Sequence, residues 1–276
     1  MRNHLTTQLV IAGTFALVAC TDGAGPRGAG PFRLAMSTRQ APAAPVPPAG
    51  QAVSASLQAA GAETFTNGTN TLVITSVELV LREVELKRVE EDNCEAESGG
   101  AEGASESDAH GCEELEAGPI LVDLPLGSTE RVFTADIPAG TYDRLEFQIH
   151  KPESDGDEPD HGFLMAHPDF AGISVRAKGT FNGADFTYTS DLNVEQELAL
   201  DPPLVVSPGT PATLTVRLDL GGWFRDGSTL VDPQTAAKGG ENEKLVRDNV
   251  IGSFRSFRDN DEDGLDDDHE DSDGGH

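Results

Sequence analysis

Positive charge is what this sequence most lacks. Only 19 Lys and Arg stand against 48 Asp and Glu, a formal net charge of −29. Phosphate binding needs clustered cations, so nucleic acid is excluded as a partner. The excess of carboxylates favours solubility and draws cations instead. Aromatic residues make up 5% and hydrophobic residues 37%, which permits one modest core of under about two hundred residues. No apolar run reaches the roughly eighteen residues that a spanning helix needs. The signatures of several enzyme classes are missing as well: there is no G-x-S-x-G elbow, no H-E-x-x-H, no phosphate loop and no G-x-G-x-x-G. The isolated Asp and Glu residues, abundant everywhere, carry no glycosidase signal.

Cysteine is scarce, with 3 in the chain, and the first of them is informative. Arg2 and His4 precede the apolar run "LVIAGTFALVAC", which ends at Cys20. A short charged start, a dozen apolar residues and small residues at the end describe a secretory leader. Leu17-Val18-Ala19-Cys20 resembles the lipobox of bacterial lipoproteins. The resemblance implies cleavage before Cys20, lipidation of its sulfur and acylation of the new N-terminus, several chains together giving a stable anchor. The expected location is the bacterial cell envelope, with the membrane reached through lipid. Cys94 and Cys112 then remain as an even pair in an oxidising compartment. Their disulfide would close a loop of about eighteen residues, for roughly 3 kcal/mol in the chain-entropy account. A metal site from Cys94, Cys112 and His110 would lack a fourth ligand and any C-x-x-C spacing.

The chain divides by composition. After a signal peptide at 1–19, residues 20–50 are rich in Gly, Pro and Ala, as in "APAAPVPPAG", and read as a disordered tether. From 51 to 232 short β-segments alternate with turn signals. "AVSASL" alternates at Val53, Ala55 and Leu57. "TLVITSVELVLREVELKRV" fits a helical stripe through Val77, Val80, Leu81 and Val84, and a strand through Val77, Leu79 and Leu81. Its β-branched content favours the strand. "IPAGTYDRLEFQI" is a turn feeding a strand. Asn182-Gly183, between Phe181 and Phe186, predicts a two-residue hairpin turn. Further strands are expected at 196–200, 204–207 and in "ATLTVRLDLGGWF". Acidic insertions at about 90–117 and 151–162 read as loops. The fold class that follows is mainly β: an antiparallel β-sandwich with one C-terminal α-helix and an acidic tail.

The motifs "TSVELVLREVEL", "ILVDLPLG", "IPAGTYDRLEFQI" and "LTVRLDLGGWF" resemble an uncharacterised bacterial lipoprotein domain with a prealbumin-like or carboxypeptidase-regulatory-like β-sandwich. The resemblance covers roughly 52–224 without the insertions. It implies an architecture and a cell-surface habit, and no catalytic residues.

Two stretches could carry chemistry. His150, His161 and His167 flank the second acidic insertion beside Asp155, Asp157, Glu158 and Asp160, and His with carboxylate can bind a transition metal. Their spacing matches no ligand pattern. The tail "DNDEDGLDDDHE", 259–270, is patterned: Asp259, Asp261, Asp263, Leu265 through its carbonyl, Asp267 and Glu270 occupy positions 1, 3, 5, 7, 9 and 12 of a calcium loop, with Gly264 at the sixth. It resembles a thrombospondin type 3 repeat or an EF-hand loop. The eighth position is Asp266, where loop pairing needs an aliphatic residue, and no exiting helix follows. "ENEKLVRDNVIGSFRSFR", from Glu241, places Val246, Val250, Phe254 and Phe257 at helical spacing and reads as the entering helix, within a linker-and-helix segment at 233–258. A single weak Ca2+ site is therefore expected. The function that follows is a non-catalytic envelope protein, a binding or structural β-sandwich module whose partner is an envelope protein or glycan. The alternatives are an envelope hydrolase or metalloenzyme using the His-rich acidic loop, and a purely structural surface spacer.

Overall fold

The computed structural model describes residues 28–38, 61–89, 112–116, 118–124, 126–127, 129–259 and 266. The strands in chain order are β1 (Ala29–Ser37), β2 (Glu63–Thr66), β3 (Thr71–Arg88), β4 (Cys112–Glu116), β5 (Ile120–Asp123), β6 (Thr129–Pro138), β7 (Gly140–Ile149), β8 (Val175–Phe181), β9 (Ala184–Ser190), β10 (Val194–Val206), β11 (Ala212–Leu218), β12 (Arg225–Asp226), β13 (Thr229–Leu230) and β14 (Phe254–Arg258). Three short α-helices interrupt them: α1 (Glu158–Ala166), α2 (Leu220–Trp223) and α3 (Glu243–Ile251). The fold is mainly β, as expected.

The ambiguous stretch at 71–88 is a strand, and its pairing explains the ambiguity. On one side β3 pairs antiparallel with β2, β5 and β4 in turn, and on the other with β8 and β7. Its buried residues begin as Leu72 and Ile74, then resume at Val77, Leu79 and Leu81, then at Val84 and Leu86. The alternation slips by one residue at Ile74/Ser76 and again at Arg82/Glu85, where the register shifts. An inserted bulge residue turns a spacing of two into three, which is why a helical stripe also fitted. The second bulge puts Glu83 at φ 53. At the first, Gly179 lies opposite Ile74, and a Cβ there would meet the Val73 carbonyl oxygen at 1.8 Å. Only glycine lets β8 approach so closely.

Eight strands form one sheet around β3, in the path β10-β7-β3-β8-β9 with β2, β4 and β5 on the open side of β3. A second sheet runs β14-β11-β1-β6. The Pro138-Ala139-Gly140 turn passes the chain from β6 in the four-stranded sheet to β7 in the larger one, and the Tyr142 hydroxyl fastens it by donating to the Pro138 carbonyl at 2.8 Å. Asn182 and Gly183 both take positive φ in the β8–β9 hairpin, as the Asn-Gly pair requires. One hydrophobic core joins both sheets: Leu34, Met36, Leu214 and Val216 from the smaller, Leu79, Leu81, Leu145 and Phe147 from the larger. The rings of Phe147 and Phe254 meet across it at 5.4 Å.

Five expectations are corrected. The tether at 20–50 contains β1, whose Phe32, Leu34 and Met36 are buried at 0%, 2% and 0% exposure. Its alternating "FRLAMS" was overshadowed by the surrounding Gly and Pro. This strand runs parallel to β11 and antiparallel to β6, so the smaller sheet is mixed. The acidic insertions are not wholly loops: Cys112–Glu116 is β4, and Glu158–Ala166 is α1, started by the Asp157 cap and by Pro159 in the first turn. The strand in "ATLTVRLDLGGWF" stops at Leu218, because Asp219 caps the single turn of α2 through Gly221 N at 3.0 Å. Finally, the C-terminal helix ends at Ile251, and "FRSFR" is β14 against β11. By register, Phe254 lies beside Leu218 and Phe257 beside Thr215, on opposite faces of the sheet. A spacing of three satisfied a helix template while the chain was a strand. The segment "AVSASL" lies outside the described residues.

If β1 is part of the core, Phe32→Ala should cost about 3–5 kcal/mol, the range for a large buried aromatic. Denaturant unfolding of the variant checks this; a change below about 1 kcal/mol would return residues 29–37 to the tether.

Candidate functional site

The His-rich acidic segment folds into a latch, and its three histidines go separate ways. His150 follows β7 and is 8% exposed; its Nε2 meets Asp160 Oδ1 at 2.6 Å and its Nδ1 meets Gln148 Oε1 at 3.2 Å. The other oxygen of Asp160 accepts Glu153 N at 2.8 Å, and Arg82 Nη1 stands 3.9 Å from the carboxylate. Asp157 caps α1 by accepting Asp160 N at 3.1 Å, and Arg82 Nη2 bonds its second oxygen at 2.8 Å. These bonds, the backbone one first, hold the Asp157 carboxyl below its usual range. His161 Nε2 lies 3.0 Å from the Ser154 carbonyl, while His167 closes the end of α1 and stacks on Phe163 at 4.8 Å. Beneath the helix, Phe163 and Phe170 bury Val80 on the outer face of the larger sheet. Arg176 pins the same region, gripping Glu78 with two bonds of 2.6 and 2.7 Å and lying 4.1 Å over the Phe170 ring. His150, Asp160, Asp157 and Arg82 are partnered with one another, and the arrangement clamps α1 to the sheet. Among the described residues, no group of three or more His, Cys, Asp or Glu side chains is placed to hold a metal ion.

Of the calcium-loop residues, Asp259 is described: it lies at the end of β14, fully buried, and its Oδ2 accepts Thr215 Oγ1 at 2.8 Å. Asp261, Asp263, Leu265, Asp267 and Glu270 lie outside the described residues, as do Cys20 and Cys94. Cys112 begins β4 opposite Lys87.

Among the described residues, three hollows gather around α3. Val246 and Val250, four residues apart, bury one face of this helix. Glu243 reaches back to accept Gly239 N at 2.6 Å, and Asn249 Nδ2 donates to the carbonyls of Trp223 and Arg225 at 3.0 and 2.8 Å. Trp223 Nε1 donates to Ser253 Oγ at 2.9 Å, tying α2 to the turn after α3. On one side of the helix a cavity of about 410 Å³ is lined by Arg217, Asp219, Asp248, Asn249, Ser253 and Arg255. On the other, one of about 540 Å³ is lined by Asn193, Val194, Glu243, Lys244, Arg247 and Ile251. Asp248 borders both, and a third, smaller hollow reaches Tyr188, Asp191 and Lys238. Lys238 and then Arg247 hold the Asp191 carboxyl below its usual range, and burial pushes the Tyr188 phenol up. Charged groups of both signs, amides and hydroxyls at cavity walls suit a polar ligand of mixed hydrogen-bonding character. Sequence reasoning missed these residues. The only local signal was an arginine set beside apolar residues in "TVRL" and "FRSFR", and nothing in the sequence reveals that Arg217 and Arg255 are opposite one another.

No family model, no curated protein and no solved structure matches the chain.

The latch makes a sharp prediction. Asp160→Ala leaves His150 Nε2 and Glu153 N without an acceptor in a buried setting, at about 1–3 kcal/mol. Hydrogen exchange should accelerate selectively in α1 and in the 151–157 segment. Unchanged protection there would mean that the clamp is not what holds α1.

Proposed function

We propose that this is a non-catalytic, lipid-anchored protein of the bacterial envelope, a β-sandwich module that binds an envelope protein or glycan in the cavities beside α3. The observation that carries the reading is the pair of polar cavities on the two sides of that one helix, sharing Asp248. A helix held at its middle by Arg247–Asp191 and in its last turn by Asn249 is a rigid wall, and rigid walls lower the ordering cost of binding. The sandwich itself is inferred from two sheets that share one core and a ring contact. The lipobox supplies the anchor at Cys20, and Cys94 with Cys112 the disulfide.

The tail adds a single weak calcium site using Asp259, Asp261, Asp263, Leu265, Asp267 and Glu270, of order 10⁻⁴–10⁻³ M as in extracellular modules. Asp259 is a poor residue with which to test it, since Thr215 bonds it in the core. Asp263→Ala with Asp267→Ala should abolish the calcium heat in calorimetry. Binding that survives intact in this variant would reduce the tail to diffuse charge.

The binding reading is tested by amide NMR on the mature protein with soluble cell-wall glycan fragments. Shifts should concentrate at Asn193, Asn249 and the Trp223 indole, and Asn249→Asp should weaken them several-fold. Shifts that bypass α3, or a signal unaffected by Asn249→Asp, would sink the assignment to these cavities.

A further inference from the structure

The smallest hollow beside α3 has a polar floor that folding leaves unsatisfied. Tyr188 and Ser190 stand two residues apart on β9 and turn to the same side, inward, with 2% and 7% exposure. The Tyr188 ring packs at right angles to Phe224, with centres 5.3 Å apart. Its hydroxyl is buried and has no hydrogen-bond partner among the described residues. Burial keeps this phenol protonated, and Ser190, whose influence runs the other way, makes no bond of ordinary geometry with it. The other tyrosine of the chain shows the usual arrangement, with Tyr142 donating to the Pro138 carbonyl at 2.8 Å. A buried hydroxyl without a partner is costly, and each one calls for an explanation.

Both residues line a hollow of about 100 Å³, room for several waters or one small molecule. Its wall carries two charges of each sign, Lys238 and Arg247 against Asp191 and Glu243. These charges are already answered. Asp191 accepts from Lys238 at 2.8 Å and from Arg247, and Glu243 accepts Gly239 N at 2.6 Å. A charged ligand would give up its hydration here and find no unmatched counter-charge. An uncharged group that both donates and accepts fits better. Arg247 holds Ser190 Oγ only loosely, at 3.4 Å, so both floor hydroxyls keep capacity for a ligand. Two hydroxyls side by side on one strand match two side by side on a ligand, since each both donates and accepts.

We infer that this hollow is a binding site for an uncharged vicinal diol, as a small polyol or a sugar ring offers, with the Tyr188 and Ser190 hydroxyls as its contacts at the floor. The site goes beyond the pair of cavities proposed above. It borders the larger of them through Glu243 and Arg247, but Asn249 and Trp223 lie outside it. A diol can therefore bind here whether or not an envelope ligand fills the pair, and the two readings fail separately.

The test uses the mature protein with carbon-13 at the ζ carbon of both tyrosines, so that each phenol reports in its own NMR line. Ethylene glycol, glycerol and methyl glucoside are titrated as diol probes, with acetate, methylammonium and acetamide as controls. Diols should move the Tyr188 line along a saturating curve, while the Tyr142 line, its hydroxyl already bonded, stays fixed. Saturation by glycerol and ethylene glycol assigns the hollow to a free polyol, and saturation by methyl glucoside alone assigns it to a sugar. Tyr188→Phe should weaken diol binding by about five-fold or more, read at the Ser190 amide. Its denaturant midpoint should not fall below wild type, because no hydrogen bond is lost. Ser190→Ala should weaken binding by about three-fold, and it carries the test if the first variant fails to fold. A Tyr188 line that no diol moves overturns the inference by leaving the hollow to water. So does a linear drift of both lines together, tighter saturation by any control, or equal affinity in wild type and both variants.

Discussion

The structure depends on one strand being paired along both edges. β3 runs for 18 residues, and five other strands take their register from it. A strand of that length, straight and flat, could not serve partners that curve away in two directions. The bulges at Ile74/Ser76 and Arg82/Glu85 increase the local twist and reset which side chains face the core. Because a slip of one residue exchanges the two faces of a strand, they also let Val80 turn outward to Phe163 and Phe170 while Leu79 and Leu81 stay in the main core. The helix over the outer face is thus a consequence of where β3 changes phase.

In a chain this acidic, cations are scarce, and several of those among the described residues form tertiary joints. Arg176 links β8 to β3 and to the turn at Asp169; Lys87 joins β3 to β7 through Glu146; Arg82 holds the α1 latch; Arg247 fixes α3 to the end of β9 through Asp191. The first is a forked, partly buried contact of the kind that contributes measurably, whereas exposed pairs such as Lys244–Asp248 contribute little.

What could be read from the sequence was local. The Asn182-Gly183 hairpin, the turn before Tyr142 and the β character of 71–88 follow from side-chain chemistry within a few residues of each site. The failures were of two kinds. A bulge or a face change converts strand spacing into helical spacing, which concealed β14 at Phe254 and Phe257. Composition also misled where a short alternation sat inside a Gly- and Pro-rich stretch, as at Phe32, Leu34 and Met36. The cavities beside α3 were illegible for a different reason, since they are assembled from β9, β10, β11, β14 and two helices, and pairing registers between distant strands leave no mark on the one-dimensional pattern. His150 shows the same limit: its spacing from Asp160 matched no motif, yet folding closes them to 2.6 Å.

The position of β1 changes how the molecule would bear mechanical load. If Cys20 carries lipid, the chain between it and Ala29 extends to about 30 Å at most, so the domain hangs close to the membrane on a short leash. Any tug on that leash enters the fold through β1, which is gripped by β11 on one edge and β6 on the other. Ladder hydrogen bonds lie across the strand, so a pull along β1 strains many of them at once in shear; it does not peel them one at a time. Extracting the anchored end would mean drawing Phe32, Leu34 and Met36 through the core together. A strand paired along both edges in this way yields as a unit or not at all.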